Sequence, residues 1–180
     1  MTQKKLKILF RTYGGKIKNK QTGLGHIFRC INLSYHLKQH SEIHFLVEDY
    51  GGVKKIINQY GFKKFSSLEK NVTLISDIKK TIQYINKNKI DVLIIDKHKT
   101  NTKYLKELKN FVKTVIISDL TNVNLPVDIL VNGYIGLENR KYKNKYDSLC
   151  LVGPSYQILN HKFSNKSKSL HKKYDILVTF

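Results

Sequence analysis

The run Ile90-Asp91-Val92-Leu93-Ile94-Ile95-Asp96 restricts the possible folds more than any other stretch of this chain. Its centre is continuously apolar, so both faces of the strand it forms must be covered, as in a parallel sheet layered by helices. The run ends on a carboxylate. Shorter apolar runs recur at Lys5 to Arg11, Glu42 to Glu48, Thr114 to Ser118, Val127 to Asn132 and Leu149 to Gly153, with weaker pieces at Lys63 to Phe65 and Val72 to Ile75. Between them the apolar spacing predicts helices from His26 through Leu37, from Val53 to Tyr60 with Gly61 as the stop, from Asp77 to Lys87, and from Thr102 to Val112. Strands alternating with helices at this spacing imply an α/β fold, a Rossmann-like doubly wound parallel sheet.

In such sheets ligands bind beyond the carboxyl ends of the strands. Arg11, Asp49, Asp96, His98, Asp119 and Asn132 all fall at that rim. Each has a plainer reading: Asp96 and Asp119 as caps of a following helix or turn, and His98 as a solvent-facing or locally bonded side chain. The stretch Phe10 to Arg29 reads as the one the rest of the chain is organised around, a strand end, a polar loop, then Gly23-Leu24-Gly25-His26 opening a helix. Free N–H groups and the positive dipole end of a helix there favour an anionic or polyhydroxyl ligand. Phe28 stands where a dinucleotide motif would carry its third glycine, and no Lys-Ser/Thr ending marks a phosphate loop. The glycines serve either a ligand or the sterics of the turn.

At 180 residues the chain accommodates one well-filled α/β domain and no second full one. Its net charge of +20, from 33 Lys+Arg against 13 Asp+Glu, raises nucleic acid or an anionic membrane as partners. Only Arg11, Arg29 and Arg140 are arginines, and the lysines are scattered rather than gathered on one helix. The expectation is weak attraction to polyanions, no specific nucleic acid and at most peripheral membrane contact. Two distant cysteines, Cys30 and Cys150, suit no zinc site and, without a secretory signal, fit a reducing cytoplasm. The basic, polar stretch from His161 to Lys173 reads as a linker. Beyond it Tyr174 to Phe180 repeats the buried-strand pattern of the amino terminus, so the chain is expected to hold a domain over residues 1–160, a linker over 161–173 and the first strand of a second domain over 174–180. The other possibility is that this last strand returns to the edge of the first sheet.

With these landmarks placed, the chain resembles the nucleotide-sugar hydrolases of the pseudaminic acid pathway and the related spore-coat polysaccharide family. The resemblance rests on Ile8-Leu9-Phe10-Arg11, Gly23-Leu24-Gly25-His26-Ile27-Phe28-Arg29-Cys30, Asp91 through Asp96, Val127 through Asn132, Gly153-Pro154-Ser155-Tyr156 and Tyr174 through Phe180, in that order. It implies the amino-terminal half of a GT-B-type architecture, two Rossmann-like domains with the active site between them. It further implies a UDP-sugar substrate, no cofactor and no metal, and a missing carboxy-terminal domain that grips the nucleotide. His26 would be the general base, activating water against the anomeric carbon of a UDP-linked 2,4-diacetamido-2,4,6-trideoxy sugar. Arg11, Gly23, Gly25, Arg29, Asp96, His98, Asp119, Asn132 and Tyr156 would bind substrate. Departures fall on the sugar side: Tyr13 replaces an Asp, the glycine loop carries Lys16 to Lys20, His98 stands in place of a Tyr, and Asn160 in place of an Arg. Two other functions stay open: a glycosyltransferase of the same fold, and a noncatalytic module binding a sugar or polyanion. The isolated chain, lacking half its cleft, is expected to be weakly active or inactive.

Overall fold

The computed structural model describes residues 4–15, 23–98, 100–119, 123–136 and 144–164. Seven strands, β1 (Leu6–Gly14), β2 (Ser41–Asp49), β3 (Lys64–Leu68), β4 (Val92–Asp96), β5 (Lys113–Ile117), β6 (Ile129–Asn132) and β7 (Leu149–Val152), form one sheet in the order β3-β2-β1-β4-β5-β6-β7. Every neighbouring pair is parallel. Four helices cross between them: α1 (Gly25–Leu37), α2 (Val53–Gln59), α3 (Leu74–Asn88) and α4 (Thr102–Lys109). The fold is a Rossmann-like doubly wound α/β sheet.

Two cores follow from the alternation of side chains along each strand. Ile8, Phe10, Phe45, Val47 and Ile94 pack with Ile27 and Ile31 of α1 and Ile57 of α2. Leu9, Leu46, Leu93, Ile95 and Ile116 pack on the opposite face with Ile85 of α3 and Leu105 and Leu108 of α4. Helices α1 and α2 therefore cover one face and α3 and α4 the other. The crossovers change sides between β1 and β4, which are hydrogen-bonded neighbours with Thr12 opposite Asp96. That reversal opens a crevice at their carboxyl ends, the usual ligand position in open α/β sheets.

Several element boundaries differ from the sequence expectation. β1 continues three residues past Arg11, because its partner β2 runs on to place Asp49 opposite Gly14. Val72 to Ile75 is not a strand: Thr73 caps α3, its side chain accepting from Ser76 N at 3.3 Å, and the helix begins at Leu74 rather than Asp77. α4 ends three residues before Val112, leaving Lys113 to start β5. The expected linker begins as a 3₁₀ turn, His161–Ser164, whose His161 ring stacks on Tyr35 of α1 at 3.9 Å. The remainder of that linker, the strand expected over 174–180 and the loop residues Lys16 to Lys20 lie outside the described residues. Among the described residues no helix is long and apolar enough to cross a membrane.

Candidate functional site

The glycine-bearing turn joins β1 to α1, and its four glycines divide sharply. A Cβ on Gly14 would stand 2.7 Å from Ile27 Cγ1, and Gly15 has φ +150 with a hypothetical Cβ 2.6 Å from the Tyr50 carbonyl carbon. These two are required by close packing. Gly25 has nothing within 4 Å of the same position, and Gly23 only Gly25 N at 3.9 Å. The two glycines singled out in the sequence therefore leave bare backbone at the start of α1, uncrowded by any described residue.

In the first two turns of α1, His26 and Arg29 lie over the end of β4. Asp96 is fully buried there. Its Oδ1 accepts from His26 Nδ1–H at 2.6 Å and from Arg29 Nη2 at 2.6 Å, and its Oδ2 accepts from Arg29 Nε at 2.8 Å and from Cys30 Sγ at 3.7 Å. Burial pushes the Asp96 carboxyl upward, but Arg29 and His26 outweigh it and hold the group below its ordinary range. An ionised carboxylate can only accept, so Nδ1 of His26 carries the proton; Arg29 Nη2, 3.2 Å from that nitrogen, is a neighbour rather than its donor. The other ring nitrogen of His26, Nε2, is turned away from Asp96 toward His98. Asp96 is thus not a helix cap; Asn101 caps α4, accepting from Tyr104 N at 2.8 Å.

His98 follows β4 by two residues and brings its Nε2 to 3.3 Å from His26 Nε2. Tyr13, at the end of β1, packs its ring against both imidazoles, with centroids 4.8 Å from His26 and 5.6 Å from His98. Burial first, then the Asp96 charge, raises the Tyr13 phenol to about 12, so it remains a neutral ring at ordinary pH. On the other side Arg29 also pairs with Asp119, Nη2 to Oδ2 at 2.9 Å, and through Asp119 reaches a groove of about 750 Å³. Asn132, Tyr134, Tyr156 and Gln157 line that groove. Asn132 is buried and its Oδ1 accepts from Tyr134 N at 2.9 Å, whereas Tyr134 and Tyr156 expose 60 % and 42 % of their surface.

Neither a protein-family model nor a curated protein sequence matches this chain.

The structure accordingly brings together His26, Arg29, Asp96, His98 and Asp119, and sets Asn132 and Tyr156 in the adjoining groove. Gly23 and Gly25 border the same turn. Arg11 lies elsewhere. It points to the face covered by α3 and α4, is fully buried, and donates from Nε and Nη2 to the two oxygens of Asp77 at 2.8 Å each. Lys97 pairs with the same carboxylate, and Glu48 stands 3.6 Å from Arg11. Arg11 was expected at the rim because the first strand was expected to end there; since β1 runs on to Gly14, the guanidinium sits one layer below. Sequence reasoning singled out Tyr13 only as a departure from the family pattern on the sugar side, and missed Asp77 as the centre of a buried ion cluster.

Proposed function

We propose that this chain is the sugar-side domain of a nucleotide-sugar hydrolase of GT-B-type architecture, with His26 as the general base. The observation that carries the reading is the buried Asp96 holding His26 Nδ1–H at 2.6 Å at the crevice between β1 and β4, with Nε2 on the side of His98. A carboxylate that fixes the tautomer and orientation of an imidazole leaves its other nitrogen ready to take a proton. In the proposed step His26 Nε2 removes a proton from water and the water oxygen attacks the anomeric carbon. The bond from that carbon to the diphosphate breaks, its electron pair leaving with UDP. The bare turn at Gly23 and Gly25 offers backbone N–H groups to the ligand, and the groove beyond Arg29 and Asp119 offers tyrosine faces and amides to the sugar. The nucleotide would be held by a second domain.

The groove also favours a second reading, a sugar transferase, since about 750 Å³ beside the dyad has room for an acceptor. Both readings are tested by UDP release from a UDP-2,4-diacetamido-2,4,6-trideoxyhexose, measured for the full gene product and its His26→Ala variant with and without a sugar acceptor. A fall of about 10²- to 10⁴-fold in the variant, the scale for losing a general base, is expected. Release that survives the substitution removes His26 from the mechanism, and release that depends on acceptor selects the transferase.

A further inference from the structure

Two imidazoles from distant parts of the chain, 72 residues apart in sequence, meet nitrogen to nitrogen at the mouth of the site. Their Nε2 atoms are 3.3 Å apart, their centroids 4.7 Å apart and their planes at 85°. The contact is within hydrogen-bond reach, and the rings meet edge to face rather than in one plane. Zinc–imidazole bonds of about 2.0–2.1 Å in a tetrahedral arrangement place two ligand nitrogens about 3.3–3.4 Å from each other. We propose that His26 and His98 chelate a divalent transition-metal ion of the imidazole-preferring kind, Zn²⁺ or Cu²⁺, at this mouth.

Three further features fit a metal ligand pair. His26 Nδ1–H is held by a buried carboxylate, the outer-shell partner that sets the tautomer of metal-binding imidazoles and directs Nε2 to the ion. Asp96 is in turn held by Arg29 through two hydrogen bonds, so the ring is oriented by a fixed group. Tyr13 packs on both rings, and His98 is exposed, which gives an ion a path from solvent. Among the described residues no group of three or more His, Cys, Asp or Glu is placed to hold a metal. The site therefore supplies two protein ligands, and solvent completes the shell. Such a site exchanges its ion readily and excludes Mg²⁺ and Ca²⁺, which require oxygen ligands. A bound ion takes the Nε2 lone pair that the hydrolase reading gives to water, so the two uses of His26 exclude each other, and the titration reads binding of the ion whether or not that reading holds.

The test is calorimetric titration of the purified chain with Zn²⁺ and, separately, Cu²⁺ and Mg²⁺, in wild type and His98→Ala, with circular dichroism as the check on folding. Imidazole ¹⁵N spectra of the unaltered protein give a reading independent of any variant. Binding of one equivalent of Zn²⁺ or Cu²⁺ that is lost in His98→Ala, joint shifts of the His26 and His98 Nε2 signals, and no response to Mg²⁺ are expected. No binding, equal binding by the variant, or shifts confined to other imidazoles such as His36 and His161 would overturn the proposal.

Discussion

Asp77 accepts hydrogen bonds from Arg11, Thr81 and Tyr104 and pairs with Lys97, all inside the layer between the sheet and α3. Burial alone would raise its carboxyl, but the Arg11 guanidinium and Lys97 hold it below the ordinary range, while burial and Arg11 together push the Lys97 ammonium down. Removing one partner of such a cluster leaves a buried charge uncompensated, so Asp77→Ala is expected to destabilise the fold by about 3–5 kcal/mol in urea unfolding. The pH dependence has a definite sign. A carboxyl whose folded pKa lies under its unfolded value of about 3.9 adds stability that is whole above that pH and is lost as pH falls through the folded value. The gap between wild type and Asp77→Asn should therefore narrow between neutral and strongly acidic pH; a constant gap would mean that Asp77 titrates alike in both states. None of this pairing was legible in the sequence, where Asp77 and Arg11 lie 66 residues apart and Arg11 stood out only as a candidate at the rim. The dyad was half legible. His26 and Asp96 stood out separately, one in a glycine turn and the other closing an apolar strand, but their pairing depends on two elements meeting across the crevice.

Helices α3 and α4 were readable from apolar spacing because the face they bury is long and regular. Their ends were not, because capping depends on single side chains and on backbone angles. Thr73 and Asn101 begin them with side-chain oxygens, and α3 stops at Lys89, a residue held in the left-handed region at φ 53. A side chain other than glycine in that region costs roughly 1 kcal/mol, and glycine is the residue helix ends usually place there. Lys89→Gly is thus expected to stabilise the protein by up to about 1 kcal/mol, with a higher urea midpoint as the readout. A lower midpoint would show that the Lys89 side chain makes compensating contacts. Asn101 also explains why Asp96 was free to serve the site: with the cap supplied five residues later, the strand-terminal carboxylate turns to α1.

Across the whole molecule the charge of +20 is spread over scattered lysines, whereas most acidic groups among the described residues are paired. Repulsion between exposed like charges is screened by salt far more than the buried Arg11–Asp77–Lys97 cluster is. The urea midpoint is expected to rise from low to physiological ionic strength; a fall would mean that surface ion pairs outweigh the repulsion. The alternation of strands and helices was visible in the sequence because each strand is a compact apolar run. Their lateral order was not, since a run of residues carries no mark of which neighbour it will bond, and it is the adjacency of β1 and β4 that makes the crevice. Asp96 and Lys97 are consecutive residues that face opposite layers, one toward His26 and Arg29, the other toward Asp77. A single-residue insertion or deletion within β4 would exchange them, driving an ammonium toward the dyad and a carboxylate away from it. The strand can change its side chains by substitution, but its length admits no gradual variation.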